Sequence, residues 1–184
     1  MTTIIETWHQ DHQNFSRLLD MLEAEIRLFK EAQAPDYELM LDIMYYMTHY
    51  PDVYHHPKED LVFGKVADMD PQAREAVQNL LEQHVVLKQS GTQLHEELQG
   101  IVDGAMRPRD SVEAPAATYI GFFREHMRNE ESMILPLARK LMSPADWAAI
   151  EAIAPTRSDP LFGADAIGRR YEQLHRRIVA TSGD

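Results

Sequence analysis

Three long stretches of the chain repeat apolar residues at alternating steps of four and three, and each stripe is broken near its middle by histidine or glutamate. The first runs from Trp8 through His12, Phe15, Leu19 and Leu22 to Phe29. Another runs from Ala73 through Leu80, His84, Leu87, Gly91 and Leu94 to Ile101, and a third from Val112 through Tyr119, Phe123, His126, Glu130 and Met133 to Leu137. Such a 4–3 alternation is the seam of helices packed about 20° apart in a bundle. No stretch alternates apolar and polar residues for long enough to read as a strand. The fold class is therefore all-α. A fourth stretch, Leu41, Met44, Thr48, Pro51, His55, Glu59, Val62 and Val66, is less regular. Pro51 and Pro57 each remove a helical N–H, which predicts a bend or break there. Polar groups on inward faces are costly unless they are paired or hold a metal.

Clusters of Pro, Gly and Asp at 32–36, 68–71, 103–110, 142–144 and 154–163 read as turns. They divide the chain into four long helical segments and two short ones. Asp70-Pro71, Asp110-Ser111 and Ser143-Pro144 look like helix starts. If the four long helices run up, down, up and down, residues equidistant from a loop share a height. The midpoint of 12 and 55 is 33.5, that of 55 and 84 is 69.5, and that of 84 and 126 is 105. All three fall in the turns. His12, His55, His84 and His126 are thus expected in one layer. Glu59 and Glu130, each four residues after a histidine, lie ~6 Å away along the axis. The chain also reads as two similar hairpins, because His12 precedes the first His-x-x-x-Glu by 43 residues and His84 precedes the second by 42. The expected organisation is a bundle over 1–142 with a C-terminal helical extension over 143–184 packing on it.

The donor chemistry is bounded by composition. Cysteine is absent, so disulfides, zinc fingers, iron–sulfur clusters and thiol nucleophiles are excluded and any metal must take nitrogen and oxygen ligands. Imidazole with carboxylate suits Fe, Mn or Zn. A formal net charge of −12 argues against binding nucleic acid or an anionic membrane surface. No apolar run approaches the ~20 residues that span a bilayer, and the N-terminal residues do not read as a secretory signal. The expected compartment is the cytoplasm.

The residues His12 (QDHQNF), His55 and Glu59 (HHPKEDLVF), His84 (EQHVVL), and His126 and Glu130 (HMRNEESMILP) resemble the hemerythrin-like HHE cation-binding family over residues 4–141. The resemblance implies a four-helix bundle holding two iron ions, with Mn or Zn as substitutes. It also implies proteins that bind or sense O2 or NO, or act on peroxide or iron. There is one departure. Oxygen carriers of the family have a fifth histidine, four residues from another on the third helix, whereas Leu80 and Lys88 flank His84 at that spacing. That leaves one ion short of a protein ligand, a place for water, and favours reactivity over pure oxygen carriage.

Several neighbours compete for these roles. His56 and Asp60 repeat the His55–Glu59 spacing one residue on, rotated by ~100°; the pair His55 and Glu59 is preferred. Glu131 competes with Glu130, and His49 or His9 with the missing ligand. His95, His175, Lys58 and the acidic runs at 23–25 and 96–97 read as solvated. The tail contains a short helix (PADWAAIEAI), a loop with DPLFG, and a basic amphipathic helix (GRRYEQLHRRIV). Its arginines either meet acidic neighbours on the bundle or form a partner surface. Three functions follow: a di-iron protein binding or sensing O2, NO or peroxide; a di-iron enzyme with peroxidase- or catalase-like or iron-repair activity; and a metal-free helical interaction module.

Overall fold

A computed structural model of the chain describes residues 3–31, 33–163, 165 and 167–181. Among the described residues the regular structure is all helical, without strands. The helices are α1 (Ile4–Lys30), α2 (Tyr37–Tyr50), α3 (His56–Met69), α4 (Arg74–Val102), α5 (Asp110–Asn129), α6 (Leu135–Leu141), α7 (Pro144–Ile153) and α8 (Glu172–Thr181). Side chains the sequence places at the boundaries satisfy several orphan N–H groups. Thr3 and Glu6 form a reciprocal capping box on α1, Asp36 accepts from the Leu39 N–H, and Ser143 caps α7 with Asp146. Asp110 lies within the first turn of α5, which has no side-chain cap. Gly104, with φ +93°, closes the end of α4 in the left-handed region open to glycine.

Pro51 and Pro57 do not break the second long segment. The backbone passes from α2 into α3 through a π-turn, Pro51–His55, in which the His56 N–H bonds to the Pro51 carbonyl. A second π-turn, Glu130–Ile134, joins α5 to α6, with the Leu135 N–H on the Glu130 carbonyl. A π-turn holds one residue more than an α-turn, and this one shifts the stripe that enters it. Met133 and Leu137, expected inward, are 43% exposed and half-buried, while Ile134 and Ala138 are buried in their place.

α1 packs on α2 and α5, α4 on α2, α3 and α5, and α3 on α6. The apolar core between them is in two parts. One contains Phe15, Leu19, Met44, Leu87, Tyr119 and Phe123 and is extended by Leu161, Leu174 and Ile178 of the C-terminal segment. The other contains Trp8, Val62, Phe63, Leu80, Ile134 and Leu135 and is extended by Ile150 and Trp147 of α7. Between the two parts lies a layer of buried His and Glu. The arginines of the tail meet acidic neighbours: Arg170 pairs with Asp42 and lies 4.1 Å from the Tyr45 ring, and Arg177 pairs with Asp36. No described helix is long and apolar enough to cross a membrane.

Candidate metal centre

Every member of the sequence-derived ligand set lies in the layer between the two apolar clusters. His12, His55, Glu59, His84, His126 and Glu130 are all buried. His12 comes from α1, His55 from the first π-turn, Glu59 from α3, His84 from α4, His126 from α5 and Glu130 from the second π-turn. His12 Nε2 and His55 Nε2 approach to 3.2 Å. On the other side the His84 and His126 rings lie 4.6 Å apart.

The two carboxylates connect these groups. Glu59 Oε1 lies 3.1 Å from His55 Nε2 and 3.6 Å from His12 Nε2, while its Oε2 lies 3.6 Å from His84 Nε2. Glu130 Oε1 lies 3.1 Å from His126 Nε2 and 3.3 Å from His84 Nε2, while its Oε2 lies 3.5 Å from His12 Nε2. Each carboxylate thus presents one oxygen to each histidine group.

His56 joins the layer, where the sequence reading preferred its neighbour. It is 4% exposed, stacks on His84 with ring centroids 4.3 Å apart, and forms a three-histidine cluster with His84 and His126. An α-helix points adjacent residues ~100° apart. The wider π-turn ending at His55 lets His55 serve one group and His56 the other. His56 of α3 thus stands beside His84, where α4 itself offers no second histidine. The sequence signal was present as the His-His pair after Pro51, but its meaning depends on a turn that a 3.6-residue period does not describe. Asp60, the other half of the competing pair, lies outside the layer. So do Glu131, which is 41% exposed, and His49, which stacks on Tyr45. His9 pairs with Glu131, outside the layer.

All five histidines are fixed from behind. Nδ1 of His12 donates to Glu131 (2.9 Å), that of His55 to Asp11 (2.9 Å), that of His84 to Asp60 (2.6 Å) and that of His126 to Gln83 (3.0 Å). His56 Nδ1 lies 3.2 Å from Asp52. Such partners set the tautomer and leave the other ring nitrogen for a ligand. Without a cation the layer depends on protons. Burial opposes a charged His12, but Glu131, Glu59 and Glu130 outweigh it and raise the imidazole to about 10. His84 also reaches about 10, burial being overcome by Asp60, Glu130 and Glu59. Burial works against ionised Glu59, yet His55 and His12 hold it well below the usual range. Burial and its neighbour Glu59 oppose ionised Glu130, while His126 and His84 bring it to about 2. His56 goes the other way, pushed well below its ordinary value by burial and by the surrounding histidines.

The residues fit a metal. Both oxygens of Glu59, Oε2 of Glu130 and Nε2 of His126 are buried without a hydrogen-bond partner. An unsatisfied buried polar atom costs about 1–3 kcal/mol, more when charged, and all four atoms belong to residues of this layer. Three overlapping donor clusters are present: His56, His84 and His126; His12, His55 and Glu59; and Glu59, His84 and Glu130. The hemerythrin HHE cation-binding domain matches residues 3–138, which is most of the chain. The chain belongs to the hemerythrin HHE cation-binding family. Every donor in this hemerythrin-domain layer falls within the matched residues. No curated protein and no solved structure matches the chain significantly.

Three side chains read as solvated are not. Lys58 is 4% exposed because α7 and the following loop cover it, its ammonium pairing with Glu151 and Thr156. His95 and His175 are half-buried.

Proposed function

We propose that this chain is a di-iron protein that binds or senses O2, NO or peroxide in the core of an up-down-up-down four-helix bundle spanning 1–142, with 143–184 as an extension. His12, His55, Glu59, His84, His126 and Glu130 hold the ions, and His56 completes the set. The observation that carries this reading is the placement of Glu59 and Glu130, each with one oxygen toward His12 and its neighbour and the other toward His84. Two carboxylates so placed suit two ions side by side rather than one.

When bound, iron supplies an electron-rich site for a diatomic or peroxide ligand. The protein's own groups supply the rest. Asp11, Asp52, Asp60, Glu131 and Gln83 hold the imidazoles in ligating orientation. Phe15, set edge-on to His55 at 5.1 Å, and Phe63, stacked on His84 at 6.1 Å, exclude water from two sides. The donor sets are unequal: three histidines face one position, two face the other. The two-histidine side therefore has room for an added ligand. A groove of about 750 Å³ between α1 and α5 ends on His12 and Glu131 and supports approach from that side. The compartment proposed for this chemistry is the cytoplasm.

The test is metal analysis of the purified chain, followed by its optical spectrum with O2, azide or NO. Two irons per chain with ligand-to-metal bands support the reading. Retention of two irons by the doubly substituted His84→Ala, His126→Ala chain contradicts the ligand assignment. Indifference of folding to iron and chelators favours a metal-free interaction module instead.

A further inference from the structure

The C-terminal segment after α6 lies outside the matched family domain, yet it makes its most specific contacts beside the metal layer. Lys58 sits one residue before Glu59, and its buried ammonium bonds to Glu151 of α7 and, at 2.6 Å, to the Thr156 hydroxyl. Glu151 in turn takes the Thr156 N–H at 2.6 Å, so helix, loop and ammonium form one closed unit. Burying a lone ammonium is expensive. Among the described residues, the polar partners that sustain its burial, Glu151 and Thr156, both belong to the tail.

A second anchor lies further along the loop. Asp159 accepts the hydroxyl of fully buried Tyr46 at 2.7 Å and the Leu161 and Phe162 N–H groups at 2.8 and 3.0 Å. The turn that presents it is tight: a Cβ on Gly163 would lie 2.4 Å from the Asp159 carbonyl oxygen. Tyr46 stacks on Tyr50, and Tyr50 faces Asp11, the carboxylate behind His55. On the near side Trp147 of α7 packs edge-on to Trp8 at 6.5 Å, and Trp8 packs edge-on to His55 at 6.1 Å. Between the anchors a cavity of about 20 Å³ is lined by Asp11, Tyr50, His55 and Lys58 from the bundle and Thr156 and Arg157 from the tail. That is room for about one water.

The Tyr46–Tyr50 and Trp147–Trp8 contacts lead to Asp11 and His55, and Lys58 lines the same small cavity as both. We infer that residues 144–163 form a strap whose anchors, Lys58 with Glu151 and Thr156, and Tyr46 with Asp159, are positioning contacts that hold His55 and govern exchange of the ion on the His12–His55 side. This rests on the metal-binding reading above. The strapped side is the one with fewer histidines, so it is where an added ligand binds and where retention of the ion depends most on outside support.

The experiment uses the full chain loaded anaerobically with iron(II) and challenged with ferrozine, the release being followed by absorbance. The unaltered chain is expected to release its two ions in separate phases. Lys58→Met and, separately, Asp159→Asn should speed one phase about tenfold, the scale at which outer-shell partners affect metal affinity, and leave the other unchanged. Circular dichroism reports whether each variant is folded, and Asp159→Asn, which removes no buried charge from the bundle, serves if Lys58→Met fails to fold. Equal acceleration of both phases, or wild-type release by both folded variants, overturns the strap. If the unaltered chain binds no iron, the metal reading itself has failed.

Discussion

At the residue scale the layer is a charge balance that either protons or cations can complete. In the metal-free chain His12 and His84 stand at about 10, against an ordinary 6.5. A raised folded-state value means that their stabilising contribution is fully present below pH 6.5 and is lost as pH climbs toward 10. Glu130, lowered to about 2 from 4.5, contributes above pH 4.5 and loses that contribution as pH falls toward 2. The thermal midpoint of the chelated chain should therefore be highest between these limits and decline toward alkaline pH. The loaded chain binds its histidines neutral and should lack the alkaline decline; calorimetric scans at several pH values check both. If two ions occupy the layer as proposed, each carboxylate, having one oxygen toward each histidine group, would be needed by both. Glu59→Gln, which keeps the shape and removes the charge, should bring bound metal from two ions per chain to below one by elemental analysis. His56→Ala should retain one ion, since the His12–His55 group is intact. The buried His and Glu donors of the layer other than His56 were legible from the sequence because each interrupts an otherwise apolar stripe. Their outer partners were not, because Asp11, Asp60 and Gln83 look like ordinary polar faces until the helices are packed.

At the scale of elements, two π-turns do what regular helices cannot. The first turns consecutive histidines to two different groups, and the second places Glu130 inside and Glu131 outside. Both occur in the second half of a hairpin, so the pseudo-repeat seen in the His and Glu spacing extends to backbone conformation. Deleting Val53, which is 52% exposed, should convert the first π-turn to an α-turn without opening the core. The chain should stay helical by circular dichroism but lose one ion by metal analysis, as His55 and His56 no longer both face inward. Two ions in the deletion variant would mean that the turn does not set the ligand geometry. Helix existence and turn positions were readable from the 4–3 stripes and the Pro, Gly and Asp clusters. Phase beyond each π-turn was not, and Met133 and Leu137 were assigned inward because an extra residue leaves no mark in a periodic pattern.

At the scale of the molecule, the metal layer separates two apolar clusters that share the same helices. A ligand that binds only the folded chain stabilises it by about 2.7 kcal/mol at a hundredfold excess over its dissociation constant. Metal loading should therefore raise the melting temperature, by several degrees in a chain of this size, and chelation should reverse it. The tail closes both clusters, through Leu161, Leu174 and Ile178 at one and Trp147 and Ile150 at the other. Its helices were visible in the sequence, but its hold on Lys58 was not, because a lysine followed by two acids reads as a solvated face. The central claim is that one polar layer holds two ions bridged by Glu59 and Glu130. An anomalous-scattering map of crystals of the iron-loaded chain tests it most directly. Two peaks should lie between those carboxylates, one against His12 and His55 and the other against His56, His84 and His126; a single peak, or iron bound away from the layer, would contradict it.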